Sequence, residues 1–305
     1  MWKLNKYCIQ AKKADTLAGT LTSLPMKLLL QLQPHHIVDV YTWIDDLLPA
    51  TPPSPQGGRP PVLHDNELIT ILVWNAVVIH QKTLKDVWHF TRLHLNAEFP
   101  RLPQYQTFVE HCHRVAPKMF MLLKTLLSPD DAVKLVDATM LPVCRLKRAD
   151  DHKVARHIAA FGKNHQGWHY GFKLHGAINL KGVLCGLAFT PANVYDAQAM
   201  PDIIGPETKV VVGDTLYGAS VMRQRLWEEQ GTIVIAPPHP KQKTKIAAPW
   251  QNKLLDMRSK IESVYDILKE HLGLVTSFPR SAKGYLVHYV RILLGYQIIA
   301  ISSSG

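Results

Sequence analysis

A mixed α/β domain preceded by a helical region is the fold class this sequence predicts, on three observations. Between 62 and 127, apolar residues recur at three-and-four spacing, the period of helices packed by one face. From Ala132 onward the pattern changes to short β-rich runs, some joined by a tight turn and later ones alternating with helical stretches. The 305 residues are 47% hydrophobic, which is enough to bury a substantial core.

The elements follow in order. Residues 1–50 form an N-terminal arm. It starts basic, but Lys27 interrupts its apolar run and no small-residue cleavage site follows, so no signal peptide is read. The Pro/Gly-rich segment 51–61 is a linker, because proline removes backbone donors and glycine adds chain entropy. The helical region 62–127 follows, with Pro100 and Pro103 punctuating it, and is the expected DNA-binding region. In the segment 128–305, AVKLVDATML reads as a strand, and YGFKLHGAIN and VLCGLAFT read as a hairpin turned at Gly182. A helix near 196–203, a strand TKVVVGD, a helix ASVMRQRLWEEQ and a strand TIVIA come next. Helices near 253–272 and 281–300 close the chain. Strands paired antiparallel first and then joined through helices require a mixed sheet with helices on its faces.

Charge narrows the function. The formal net charge is +11 and the pI about 9.4, which suggests a polyanionic partner, nucleic acid before a lipid surface. No membrane role is expected: 68–79 is too short to span, and 286–300 contains His288, Arg291 and Gln297. The four cysteines, Cys8, Cys112, Cys144 and Cys185, include no C-x-x-C pair, so a reducing, cytoplasmic setting is expected.

Asp137 in KLVDAT and Asp214 in VVVGDTLYG each end an apolar strand, which delivers a carboxylate to the sheet edge where crevices form. An aspartate there also serves as a turn former or helix cap, and the helix after Asp214 favours that use. Glu262 is read from its helix. At 100° per residue, Arg258, Glu262 and Lys269 fall within about 40° of one another, beside the apolar arc of Ile261, Val264, Tyr265, Leu268 and Leu272. An intrahelical Arg258–Glu262 pair is the competing account. Taken together, three carboxylates suit a two-metal phosphoryl-transfer site, in which hard oxygen ligands hold two Mg²⁺ and the substrate phosphate completes the set.

The runs VDAT, GWHYGFKLHGAINLKGV, LAFTPANVYDAQAM, VVGDTLYG and RSKIESVYDILKEHLGL, in that order, resemble the DDE transposases of bacterial insertion sequences, most closely the insertion sequence 982 branch. The resemblance covers about 62–300. Of the Y-x2-R-x3-E-x6-K signature in a related group, Arg258, Glu262 and Lys269 match, and Leu255 stands where the tyrosine would be. The resemblance implies an RNase H-like catalytic domain with Asp137, Asp214 and Glu262 as ligands of two Mg²⁺, for which Mn²⁺ can substitute. It implies cutting and joining of DNA at the element's terminal inverted repeats and at target DNA. It also implies a homodimer or higher assembly in a prokaryotic, nucleoid-associated setting.

Arg145, Lys147 and Arg148, in the loop after the Asp137 strand, are candidates for phosphate contacts, as are Arg258 and Lys269. Lys173 alternates with Phe172 and Leu174 and faces either DNA or solvent. Lys241, Lys243 and Lys245 lie in the loop before the Glu262 helix, as DNA contacts or a solvated tail. The histidines near 111–113 and 152–175 lack zinc-finger spacing and read as surface, packing or phosphate-contacting residues. Trp168 and Trp250 suit stacking on an unpaired base or ordinary packing. Two other functions fit the residues: an RNase H-like nuclease that cuts without joining, and a catalytically inactive, transposon-derived DNA-binding protein.

Overall fold

A computed structural model describes residues 36–48, 62–128, 131–218, 220–238 and 248–303. Most of the N-terminal arm, the 51–61 linker, and Lys241, Lys243 and Lys245 lie outside the described residues.

In chain order the elements are α1 (Ile37–Leu47), α2 (Asp65–Trp74), α3 (Leu84–His94), α4 (Tyr105–Leu126), β1 (Val133–Pro142), β2 (Ala160–Asn164), β3 (Gly167–Ile178), β4 (Leu184–Pro191), α5 (Asp196–Ile203), β5 (Val210–Val212), α6 (Ser220–Gln230), β6 (Ile233–Ile235), α7 (Pro249–Asp256), α8 (Ser259–Asp266) and α9 (Ala282–Ser302). A π-helical turn, Asn75–Ile79, extends α2, and another, Ile267–His271, extends α8.

By packing, the described residues form two compact units. One is the sheet unit, 127–270 with 275–277; the other is helical and takes the described part of 36–126 together with 271–274 and 278–303. Helix α9 therefore packs with the helices, although the sequence reading carries it in the segment 128–305. The reason is its composition. Val287, Val290, Ile292, Leu293 and Leu294 are all buried, so α9 needs apolar neighbours around its circumference and finds them on α2 and α4. It is long and apolar enough to cross a membrane, yet most of that stretch is buried inside the protein, as in a core helix. Two of its buried polar side chains bond to main-chain carbonyls: Arg291 Nη2 donates to those of Gln81 (2.7 Å) and Lys82 (3.2 Å), and Gln297 Nε2 to that of Leu126 (2.6 Å).

In the sheet unit, β1 is central. It runs antiparallel to β3, with Asp137 opposite Gly176, and parallel to β5, which pairs in parallel with β6. Strand β3 also pairs antiparallel with β2 and β4. The β3–β4 turn is made at Gly182, whose φ of 91° is a conformation that suits glycine. Helices α5 and α6 supply the crossovers that parallel pairing needs. Their apolar side chains Met200, Ile203 and Leu226 pack with Val136, Ala177, Val211 and Val234 of the sheet. A mixed sheet with a central first strand, antiparallel neighbours on one side and parallel ones on the other is the RNase H-like arrangement.

Candidate active site

Strand β1 delivers the first carboxylate. Leu135 and Val136 are fully buried, and Asp137 follows, partly buried. Strand β1 runs on to Pro142, so Asp137 lies within it and not at its end as expected; it comes two residues after Leu135, the last β1 residue paired with β5, and Asp214 comes two residues after that partner, Val212, so both acids lie just beyond the parallel ladder. Asp137 feels the charge of Asp214. Burial, with smaller contributions from Asp214 and Asp196, pushes the Asp137 carboxyl up to about 7, against the opposing effects of the Ala138 amide and Arg258. Burial also raises Asp214, with Asp196 adding to it, while bonds from the Leu216 and Tyr217 amides and the charge of Arg258 oppose the rise. Asp214 is a turn former as well: Oδ1 accepts from Leu216 N at 2.9 Å and starts the short 3₁₀ turn Thr215–Gly218. The structural and functional readings of this residue are compatible.

Helix α8 is docked against β1 by a hydroxyl. Tyr265, buried in the apolar arc with Ile261 and Val264, donates from Oη to the main-chain carbonyl of Asp137 at 2.6 Å. Gly176, across the ladder from Asp137, leaves the space for this ring, since a Cβ there would lie 2.7 Å from Tyr265 Oη. One helical turn beyond Tyr265, Lys269 Nζ donates to Thr139 Oγ1 at 3.0 Å, two residues along β1 from Asp137. Arg258, at the start of α8, acts electrostatically on both Asp137 and Asp214 and also pairs with Glu262 at 2.7 Å.

The structure thus brings together Asp137, Asp214, Arg258 and, along β1, Lys269. Glu262 is joined to Arg258 and its side chain is 48% exposed. Among the described residues, no three His, Cys, Asp or Glu side chains converge at ligand spacing. Arg145, Lys147 and Arg148 are exposed around the 3₁₀ turn Leu146–Arg148 that follows β1, where a polyanion can reach them.

Lys173 is different. Its ammonium points inward, donating to Val194 O at 2.8 Å and Asp196 Oδ1 at 2.9 Å, and its side chain is only 12% exposed. The expectation from sequence is that Lys173 faces either DNA or solvent; the structure shows instead an ammonium engaged within the protein, because strand alternation names a face but not the carboxylate on it. Trp168 is exposed and lies opposite Lys163 on the β2–β3 hairpin, with the Lys163 ammonium 5.9 Å from its ring centre.

Two residues of the site were not singled out from the sequence. Asp196, the first residue of α5, raises both aspartates and is paired with Lys173. Tyr217 is fully buried, and its hydroxyl lies in the field of Tyr265, Asp196, Asp137 and Asp214 with no hydrogen-bond partner among the described residues. The signals were present in ANVYDAQAM and GDTLYG, but an acid in a first helical turn and an aromatic after a turn have ordinary structural uses.

Residues 128–282 match the family described as Transposase DDE domain. The chain belongs to that family. No solved structure matches it. The matched stretch of this DDE transposase runs from just before β1 to the first residue of α9 and so includes all six strands and α8. Such domains generally use divalent metal ions and act on DNA. The donor chemistry of Asp137 and Asp214 fits a divalent cation. Both are hard oxygen donors whose charged forms are disfavoured when left together in a partly buried site, and a cation reverses that penalty.

Proposed function

We propose that this DDE transposase, of the insertion sequence 982 type, cuts DNA at the terminal inverted repeats of its element and joins the freed 3′ ends to target DNA. The observation that supports this most is the placing of Asp137 and Asp214 just beyond the parallel β1–β5 ladder, each two residues past its last pair, with Arg258 as their common counter-charge. Asp137, Asp214 and Glu262 would hold two Mg²⁺, or Mn²⁺ in their place, with DNA phosphate oxygens supplying further ligands. When bound, such ions supply Lewis-acid charge to the attacking and leaving oxygens.

The chain's own residues do the rest. The sheet and the Tyr265 hydroxyl fix the main chain at Asp137, and the Leu216 amide holds the Asp214 carboxylate in its turn, which limits the freedom that binding a phosphodiester must remove. Arg258 and Lys269, on one helix face, bind and orient backbone phosphates, and Arg145, Lys147 and Arg148 extend that contact along the strand. A phosphate that engages Arg258 displaces its bond to Glu262, leaving that carboxylate to turn toward the aspartates. In the first step, water attacks the phosphodiester at the element's end, and the bond to the departing flank breaks to expose a 3′-hydroxyl. In the second, that hydroxyl attacks a target phosphodiester and one new bond replaces another. Two ends must be joined together, so the working form is a homodimer or larger assembly on DNA, in a nucleoid-associated, cytoplasmic setting.

The test is joining. A labelled duplex ending in a pre-exposed 3′-hydroxyl of the element's own terminal repeat is incubated with a supercoiled target and Mg²⁺. Covalent linkage of label to target is expected. Cutting of intact ends without linkage would replace this reading with that of a nuclease, and salt-dependent binding with neither reaction would replace it with that of a DNA-binding remnant.

A further inference from the structure

The β2–β3 hairpin carries an aromatic face that the acid site does not use. Strand register puts Phe161 opposite Tyr170 and Lys163 opposite Trp168, so these four side chains share one face of the ribbon. Their contacts follow the register: the Phe161 and Tyr170 ring centres are 4.9 Å apart, and the Lys163 ammonium is 5.9 Å from the centre of the Trp168 ring. The opposite face is engaged by the protein itself. A Cβ on Gly162 would lie 2.2 Å from the Ala192 oxygen, and Asn164 Oδ1 accepts from Gln166 N at 2.9 Å and lies 3.0 Å from His169 Nε2. The aromatic face is left to solvent at its outer end, where Phe161 is 43% and Trp168 56% exposed. At its inner end Tyr170 is buried, with the His152 ring centre 6.1 Å away. His152 belongs to the segment 145–156, which bears Arg145, Lys147, Arg148, Lys153 and Arg156, all exposed, against Asp150 and Asp151.

We propose that this face binds a single, unpaired DNA strand, with Trp168 and Phe161 as stacking platforms for its bases and Lys163 and the cations of 145–156 as contacts for its phosphates. The inference goes beyond the cutting and joining described above and rests on that reading for DNA as the partner.

Its physical basis is the difference between the surfaces of paired and unpaired DNA. In a duplex the base faces are covered by their neighbours, so a protein meets phosphates and groove edges. In an unpaired strand every base offers a π face. Cations alone therefore attract both forms, whereas exposed aromatics beside cations select the single strand. Packing is a weak reason for Trp168, since an indole more than half in water gains little from folding and its contact with Lys163 is an exposed one. The platform is ordered in advance: Tyr170 holds Phe161 and Asn164 holds the turn, so little freedom remains to be lost when a base arrives. Cutting and strand exchange expose unpaired DNA, the form this face accepts.

The experiment is fluorescence anisotropy of three labelled probes with the full-length protein at low salt and without metal. They are an oligothymidylate of about 12 nucleotides, a strand of the same length lacking bases, and a duplex of that length. Wild type is expected to bind the oligothymidylate at least about tenfold tighter than the baseless strand. Trp168→Ala is expected to remove most of that preference while changing duplex and baseless-strand binding by less than about twofold. Trp168→Tyr is expected to keep the preference, and Trp168→Leu, apolar but without a π face, to lose it. Circular dichroism checks the fold, and the Tyr and Leu variants carry the comparison if Trp168→Ala does not fold. Equal binding of the oligothymidylate and the baseless strand by wild type, or a preference that survives in Trp168→Ala or Trp168→Leu, would overturn the inference and leave the DNA reading intact. Binding of none of the three probes would overturn the DNA reading, and this inference with it.

Discussion

Asp137→Asn is expected to make the protein more stable at pH 8 in metal-free buffer while reducing Mg²⁺-dependent DNA cutting by at least about 10³-fold. Both effects have one cause. Asp137 is held where its charged form is disfavoured, and its carboxyl is raised to about 7. In the unfolded chain it ionises near pH 4. Between those values the folded state binds more protons than the unfolded one, so stability falls as pH rises from about 4 to about 7 and stays lower above that. Asn removes the penalty and, with it, the ligand charge. The gain is on the order of 2 kcal/mol at pH 8, discounted because the side chain is only partly buried. It vanishes near pH 4, where the wild-type carboxyl is protonated in the folded protein. Thermal unfolding of both proteins at pH 4 and pH 8 measures the difference. Equal pH dependence of the two would show that Asp137 does not carry this strain.

Gly176→Ala is the second substitution with a large expected effect. The added methyl carbon would lie 2.7 Å from Tyr265 Oη. That ring has little freedom to retreat, being buried and bonded to the Asp137 carbonyl at 2.6 Å. Overpacking of this kind costs about 1–3 kcal/mol. The clash is relieved by lifting α8, which carries Glu262, follows directly on Arg258 and leads into Lys269. DNA cutting is therefore expected to fall by more than about tenfold with every carboxylate in place, since misplacement by about 1 Å is enough to cost that much. Tyr265→Phe alone loses one hydrogen bond, worth about 1 kcal/mol. Combined with Gly176→Ala, it should restore part of the lost stability, because the phenyl ring lacks the clashing oxygen. Denaturant titration of the two single variants and the double variant tests this; strict additivity would contradict the Tyr265–Gly176 contact as the cause.

Much of this architecture was legible in the residues. Strands β1, β3 and β4 announce themselves by β-rich apolar runs, and α5 falls where the sequence reading puts a helix, at Asp196–Ile203. The run of buried residues before Asp137 and before Asp214 was legible as strand, but not that β1 continues past Asp137 to Pro142, because DATMLP carries no stop signal other than the acid itself. Strand β2 was not. Its Ala160–Asn164 stretch lacks apolar alternation and contains Gly162, whose missing side chain admits Ala192 so closely that a Cβ would lie 2.2 Å from the Ala192 oxygen. The helix within the arm, Ile37–Leu47, was likewise passed over. Lys173 was legible as a strand residue but not as the partner of Asp196, since that ion pair joins residues 23 positions apart. Glu262 and Arg258 were placed on one polar stripe by helical periodicity, and their 2.7 Å pair is the local contact that spacing predicts. What periodicity does not encode is the charge on other elements, which makes Arg258 a neighbour of both aspartates.

The most direct test of the proposed reaction is Mg²⁺-dependent processing of a labelled duplex carrying the element's own terminal repeat, with wild type compared to Asp214→Ala at low salt. The account predicts cleaved and joined products with the wild type alone and comparable duplex binding by both proteins. Cleavage by Asp214→Ala at the wild-type rate would contradict it.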